Sequence, residues 1–140
     1  MSEIMSYEFT VDLNLVGMDA IRASGCQFYG DESVVAAMSR ATVARGKIRF
    51  FKAGRFVPAH KKEAECAKYG LKPVDPHTLA AFNMANPEFA DSHPNCTQWV
   101  DEEGKLCCAF FYGRHDVRYV RVHRNIGAWD DRWWLAGVSK

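Results

Sequence analysis

The basic residues of this chain are concentrated in its middle third. Eight Lys or Arg side chains and no Asp or Glu lie between positions 33 and 62, although the formal net charge of the 140-residue chain is only +1. The rest of the chain therefore holds 10 basic and 17 acidic residues, a net charge of −7. Segregated charge creates a local field, and cations interleaved with aromatic rings suit the phosphates and bases of nucleic acid.

This basic stretch predicts a surface for nucleic acid or another polyanion. We expect the surface to form on an edge hairpin of residues 47–52 and 55–58 and on the helix that follows, with Phe51 or Phe56 exposed for stacking on bases. Arg118 and Arg121 would join the surface if a second basic strip converges on it. The residues predicted to contact nucleic acid are Arg45, Lys47, Arg49, Phe51, Lys52, Arg55, Lys61, Lys62, Arg118 and Arg121.

The second basic strip lies near the C-terminus and consists of Arg114, Arg118, Arg121 and Arg124, opposed by Asp116. Alternate residues of a strand share a face. We therefore expect Arg118 and Arg124 on one face, and Arg121 with Tyr119 and His123 on the other, which would mix guanidinium, phenol and imidazole groups. The alternative is that both strips are ordinary solvated faces, balanced by acidic residues elsewhere in the chain.

A protein partner is the second functional hypothesis. Trp133 and Trp134 are adjacent, so a strand would turn one of them into the core and the other outward. An outward tryptophan beside Arg132 has the composition of a binding hot spot. The chain would then be an interaction or inhibitor module, of the accessory kind that bacteria and phages encode.

A third hypothesis is a small zinc- or thiol-dependent enzyme. His93 and Cys96 have the two-residue gap common in zinc sites, and Cys107 and His115 would supply two further ligands. A nucleophilic cysteine also needs a base and a lowered pKa, and no motif around the cysteines supplies them. We therefore expect a non-enzymatic binding protein without a cofactor.

Length and composition predict one domain spanning residues 1–140, with 48% hydrophobic and 13% aromatic residues. The start of the chain reads as mature sequence, and no apolar run has the length of a membrane span. The five cysteines are odd in number and lack framework spacing, which indicates reduced thiols in the cytoplasm.

Local patterns predict an α+β fold with a mixed or antiparallel sheet. We expect a strand at 7–16, a helix at 18–24, a short strand at 26–29 beside the first one, and a helix from the Asp31 cap to about Arg45. Asp75 and Pro76 open a further helix that runs to Met84. The last third, about residues 97–138, is predicted to be a β-meander, with three to four short helices packed on one face of the sheet.

Overall fold

The computed structural model describes residues 3–53, 57–124, 128–129 and 131–140, and it confirms the predicted α+β class in a single domain. The strands are β1 (Ile4–Thr10), β2 (Gln27–Gly30), β3 (Arg45–Phe51), β4 (Val57–Pro58), β5 (Leu71–Pro73), β6 (Asn95–Val100), β7 (Leu106–Arg114), β8 (Val117–Arg124), β9 (Ala128–Trp129) and β10 (Trp134–Ser139). The helices are α1 (Met18–Ala23), α2 (Glu32–Ala36), α3 (Lys62–Ala67), α4 (Pro76–Ala85) and α5 (Phe89–Ser92), and a 3-10 turn covers Ala59–Lys61. None of the described helices is long and apolar enough to cross a bilayer.

Eight strands form one mixed sheet in the order β1-β3-β10-β6-β7-β8-β2, and β5 pairs with the end of β10. The pairs β10–β6 and β2–β8 are parallel, whereas the others are antiparallel. β4 and β9 form a separate two-stranded sheet.

Within the described residues the expected hairpin of residues 47–52 and 55–58 is absent, and residues 55 and 56 of its second arm lie outside them. β3 lies inside the sheet, antiparallel to both β1 and β10, whereas β4 pairs with β9. A strand with apolar residues on both faces, such as Ile48 and Phe51, is stabilised by burial between two neighbours more than by an edge position.

Two further strands have partners other than those predicted. β2 pairs with β8 at the far edge of the sheet, and not with β1. β10 leaves the meander of β6, β7 and β8, because it pairs with β6 and β3 at the centre of the sheet. The three-stranded meander itself is confirmed.

Helix starts agree with the sequence better than helix ends do. Asp75 caps α4 by accepting a hydrogen bond from the Thr78 amide at 2.8 Å, and Asp31 caps α2 by accepting one from the Ser33 amide at 2.8 Å. However, α2 ends at Ala36, far short of Arg45. The Ser39 carbonyl lies 2.6 Å from Nδ1 of His77 on α4, so a tertiary contact holds backbone that a longer helix would need for itself.

The sheet buries side chains on both of its faces. The helix-covered face carries the larger core, in which Phe50, Phe111 and Val122 pack beneath α1, α2, α4 and α5. The second face carries a smaller core, where Phe51, Phe110 and Leu135 pack against Cys66 of α3 and Leu71. The expectation of helices on one face is therefore correct for four helices, while α3 lies on the opposite side.

Candidate nucleic-acid interface

Some residues of the predicted basic surface are buried instead of exposed. Phe51 is fully buried in the second-face core, so its ring cannot stack on a base, and Lys62 is only 1% exposed. The Lys52 ammonium lies 5.4 Å from the ring centre of Trp134, on the helix-covered side of β3. Arg55 and Phe56 lie outside the described residues.

A smaller basic group remains on β3. Arg45, Lys47 and Arg49 alternate with Ile48 and Phe50, so they share the second face with Phe51. Arg45 and Lys47 are exposed and Arg49 is half-buried. Glu8 lies directly opposite Lys47 on β1 and partly offsets its charge. Lys61 is also exposed, in the turn that precedes α3.

The second basic strip divides between the two faces as its alternation predicts. Arg118 and Arg124 extend from the helix-covered side, where Arg118 Nη1 donates to the Ser24 carbonyl at 3.4 Å and Arg124 pairs with Asp101 at 3.0 Å. Arg121 lies opposite Phe110 on the second face and is exposed. The basic groups of β3 and Arg121 therefore occupy the same face, with the second-face core between them, whereas Arg118 does not join them.

Arg121 belongs to a surface that three neighbouring strands build, which we call the tyrosine–arginine surface: Tyr29, Tyr112, Arg114, Tyr119 and Arg121. Tyr119 lies opposite Tyr112 on β7, and Arg121 lies opposite Tyr29 on β2. The Tyr119 ring centre is 5.3 Å from that of Tyr112 at an interplanar angle of 21°, and 5.8 Å from that of Tyr29 at 35°. Among the described residues, neither Arg114 nor Arg121 has an ion pair.

The turn between β7 and β8 sets this register. Two residues, His115 and Asp116, connect the strands, and both have positive φ, at 54° and 64°. Two-residue hairpin loops favour this backbone because its twist matches that of the flanking strands. The tight turn places Arg114 opposite Val117, and Tyr112 then lies opposite Tyr119.

A recess of about 760 Å³ adjoins this surface where β6 and β10 begin. Its aromatic wall is formed by Phe110, Tyr112 and Trp133, with the Trp133 ring edge-on to Phe110 at 5.1 Å and to Tyr112 at 6.1 Å. Its charged lining consists of Arg114, Arg121, Arg124, Arg132, His123 and Asp91. Cavities of this volume are typical of small-molecule sites, and the excess of cations here favours an anionic occupant.

His123 contributes an imidazole ring to the recess. Burial lowers the pKa of His123 and the neighbouring Arg121 cation lowers it further, against the opposing effect of Asp31. Its Nε2 atom is buried and has no hydrogen-bond partner among the described residues. A buried polar atom without a partner costs free energy, which a ligand group or a water molecule would recover.

The two tryptophans of the protein-partner hypothesis separate as predicted. Trp134 is buried in the larger core at 8% exposure, whereas Trp133 is half-buried beside Arg132 on the second face. Of these two tryptophans, only Trp133 could therefore anchor a protein partner. The ring of Trp133 lines the same recess.

The four candidate zinc ligands are not brought together. His93 stacks on Phe89 at 4.7 Å beside α5, Cys96 is buried in the second-face core, Cys107 lies on the helix-covered face and His115 is in the β7–β8 turn. No group of three metal-ligating side chains exists among the described residues. The two-residue spacing of His93 and Cys96 does not bring their side chains to one site, because His93 packs on Phe89 and Cys96 lies in the second-face core.

The thiols are also poorly suited to nucleophilic chemistry. Burial raises the pKa of Cys66 to about 12 and raises the pKa values of Cys26, Cys96 and Cys107. A thiol must lose its proton to act as a nucleophile, so a raised pKa makes these thiols weaker nucleophiles near neutral pH.

A second cavity of about 810 Å³ lies at the opposite end of the sheet. Arg40, Lys47 and Lys72 line it together with Glu63 and Asp75, so its charges are mixed, and Asp75 is already committed to the α4 cap. This second cavity is larger than the recess, but its mixed charges indicate the chemistry of a ligand less clearly.

Sequence reasoning overlooked Tyr29, Tyr112 and Asp91. The first two were recoverable in principle, because a two-residue turn at 115–116 fixes Tyr112 opposite Tyr119. Tyr29 depends on the parallel pairing of β2 with β8, and Asp91 on the packing of α5 against β7, which join segments distant in sequence.

Comparison of the chain with protein-family models, with curated proteins and with solved structures finds no match. The function is therefore inferred from the chemistry of this surface and its recess.

Proposed function

We propose that the protein binds single-stranded nucleic acid on the tyrosine–arginine surface. The observation that carries the proposal is the placement of three tyrosine rings on adjacent strands, with Arg114 and Arg121, which form no ion pair with any described residue, on the same surface. Guanidinium groups neutralise backbone phosphates, and every base has a face that can stack on an aromatic ring.

The row of neighbouring tyrosine rings favours a single strand over a duplex. In a duplex the bases are stacked on one another, so sheet-bound tyrosines would meet only the backbone, whereas an unpaired strand offers its base faces. Tyr29 is 47% exposed, which leaves a large part of its ring for such a contact. The basic residues Arg45, Lys47 and Arg49 on the same face would extend the path of the strand beyond the second-face core.

The five free thiols support a cytoplasmic location, where cysteines stay reduced. Four of them, Cys66, Cys96, Cys107 and Cys108, are buried and pack as small apolar groups.

Titration of fluorescent 12-nucleotide single strands, one DNA and one RNA, against the protein over a range of salt concentrations tests the proposal. The affinity should fall steeply with salt, and Arg121→Gln should reduce the logarithmic slope by about 0.7, the value of one phosphate contact on a single strand. Tyr119→Leu should weaken binding by about 1–3 kcal/mol by removing one stacking ring.

Arg22→Gln is the matched control, because it removes one positive charge from the opposite side of the molecule. Arg22 lies on α1, is exposed and pairs with Asp19 at 3.3 Å. No binding of either strand at low salt contradicts the proposal, as does an equal effect of Arg121→Gln and Arg22→Gln on the salt slope.

A further inference from the structure

β1 is a long strand at an open edge of the sheet. Among the described strands it pairs with β3 alone, and no hydrogen bond from a described residue reaches its other side. Natural proteins keep an edge strand short or protect it with proline, lysine or a bulge, because its free N–H and C=O groups attract another strand. β2, at the opposite edge, has only four residues. β1 has seven residues without proline or lysine, in an unbroken register with β3, so its edge is open to a partner strand.

The hydrogen bonds between β1 and β3 determine which backbone groups of β1 remain free. The register of the two strands continues to Val11, whose amide donates to the carbonyl of Ala44 directly opposite at 2.8 Å. Facing residues of an antiparallel pair alternate between bonded and non-bonded positions. The odd-numbered residues of β1 therefore bond to β3, and the even-numbered residues turn their N–H and C=O groups to the open edge. These are Ile4, Ser6, Glu8 and Thr10, and all four are exposed.

We propose that two copies of the protein associate through β1, antiparallel about a twofold axis at Tyr7, and form one continuous sheet. A twofold axis perpendicular to the sheet keeps the helix-covered faces of both copies on the same side. The free backbone groups of the two strands then meet only where even-numbered residues face each other. Centring on Tyr7 meets this condition and pairs all seven residues of β1. The facing pairs are then Ile4 with Thr10 and Ser6 with Glu8.

Charge and length select this register over its neighbours. A shift by two residues in one direction places Glu8 opposite Glu8 of the second copy, and like charges directly opposite destabilise a strand pair. A shift in the other direction leaves Phe9 and Thr10 without partners. In the register centred on Tyr7, each Glu8 carboxylate faces a Ser6 hydroxyl, which can donate a hydrogen bond to it.

Tyr7 adds a side-chain contact at the twofold axis, on the helix-covered face. Its pair with Tyr7 of the second copy is of the non-bonded kind, in which the Cα atoms are about 4.5 Å apart and the side chains are closest. The Tyr7 ring centre lies 5.5 Å from that of Phe82 and 5.4 Å from that of Phe89, yet the residue is 37% exposed. The exposed part of the ring is the part that a second copy would cover. This association does not depend on the proposed function.

Sedimentation velocity of the full chain over a hundredfold range of concentration, up to about 1 mM, tests the association. The protein should change from monomer to dimer across this range, and a protein that is monomeric throughout overturns the proposal.

Ser6→Glu tests the register, because it places a carboxylate opposite Glu8 of the second copy and opposite Arg49 within its own chain. It should raise the Kd of the dimer by about tenfold, since the like-charge pair occurs twice, and leave the fold intact. Ser6→Gln is the neutral control of the same size and should retain the dimer. Equal Kd values of the two variants overturn the register.

Tyr7→Cys tests the twofold axis by cross-linking. A disulfide needs Cα atoms about 4.4–6.8 Å apart, which facing residues of a non-bonded pair provide. Oxidation should therefore join Tyr7→Cys into a covalent dimer linked at position 7, as located by mass spectrometry. Glu8→Cys is the control, because its counterpart is a diagonal neighbour at about 7–8 Å and should cross-link far more slowly. Circular dichroism verifies that both variants fold, and equal cross-linking of the two variants, or none in Tyr7→Cys, contradicts the proposal.

Discussion

Lys62 is a lysine that the fold places in its interior. Its side chain is 1% exposed in the second-face core, and burial lowers the pKa of Lys62 to about 7, although Cys96, Cys108 and Cys66 nearby favour its charged form. A basic residue at the start of a helix reads as a surface residue in any sequence pattern. Its burial results from the packing of α3 on the sheet, which the pattern does not contain.

The free energy of unfolding should increase with pH above neutrality because of this lysine. Below a pH of about 7 the ammonium is present in both the folded and the unfolded chain, and the burial penalty is complete. Between about 7 and the ordinary value of 10.5 the unfolded chain holds the proton and the folded chain does not, so a rising pH favours folding. The full effect is on the order of 5 kcal/mol, at about 1.4 kcal/mol per pKa unit.

Lys62→Met should therefore be more stable than the parent protein at pH 7 and should lose most of this pH dependence. The measurement is urea denaturation at several pH values between 6 and about 10, with Lys72→Met on the exposed side of β5 as the control. A less stable variant at pH 7 that retains the slope would show that Lys62 is not the responsible group.

At the scale of elements, the position of β2 decides whether the tyrosine–arginine surface exists. β2 has only four residues, and its last residue, Gly30, lies opposite Val122. A Cβ atom on Gly30 would lie 2.1 Å from the Val122 carbonyl oxygen, and the φ angle of Gly30 is 143°. Only glycine permits this close approach of the two backbones.

Gly30→Ala should lower the free energy of unfolding by about 3 kcal/mol or more, since it adds a backbone clash to an unfavourable φ. Gly70→Ala is the matched control, because Gly70 also has a positive φ, at 73°, but a Cβ atom there meets nothing within 4 Å. The control should lose about 1 kcal/mol. Equal losses in urea denaturation would mean that β2 does not pack tightly on β8. Gly30→Ala should also weaken oligonucleotide binding, because Tyr29 precedes it.

Elements whose determinants are local could be predicted from the sequence, and those that depend on distant partners could not. Asp75 and Pro76 specify the start of α4 by themselves, and short turns join β6, β7 and β8. β3, by contrast, receives its neighbours from the two ends of the chain, and no local feature of residues 45–51 identifies them. Arg121 belongs to a basic strip that is visible in the sequence, whereas the position of Tyr29 depends on the pairing of β2 with the distant β8.

For the whole molecule, basic residues from two distant segments of the sequence lie on the second face of the sheet. On the second face lie Arg45, Lys47, Arg49, Arg114 and Arg121, separated by the smaller core. Other cations are withdrawn from this face, as Arg124 pairs with Asp101 and Arg118 contacts Ser24. The near-neutral total charge of +1 is therefore compatible with a local group of cations on this face, where we propose that nucleic acid binds.

The most direct test of this account is NMR mapping of an oligonucleotide titration on the isotope-labelled protein. The account predicts that the largest changes in chemical shift fall on the ring signals of Tyr29, Tyr112 and Tyr119 and on the amides of β8. Smaller changes at Arg45, Lys47 and Arg49 are expected if the strand continues across the sheet. Shifts confined to the helix-covered face, or no shifts at low salt, would contradict the central claim that the second face binds single-stranded nucleic acid.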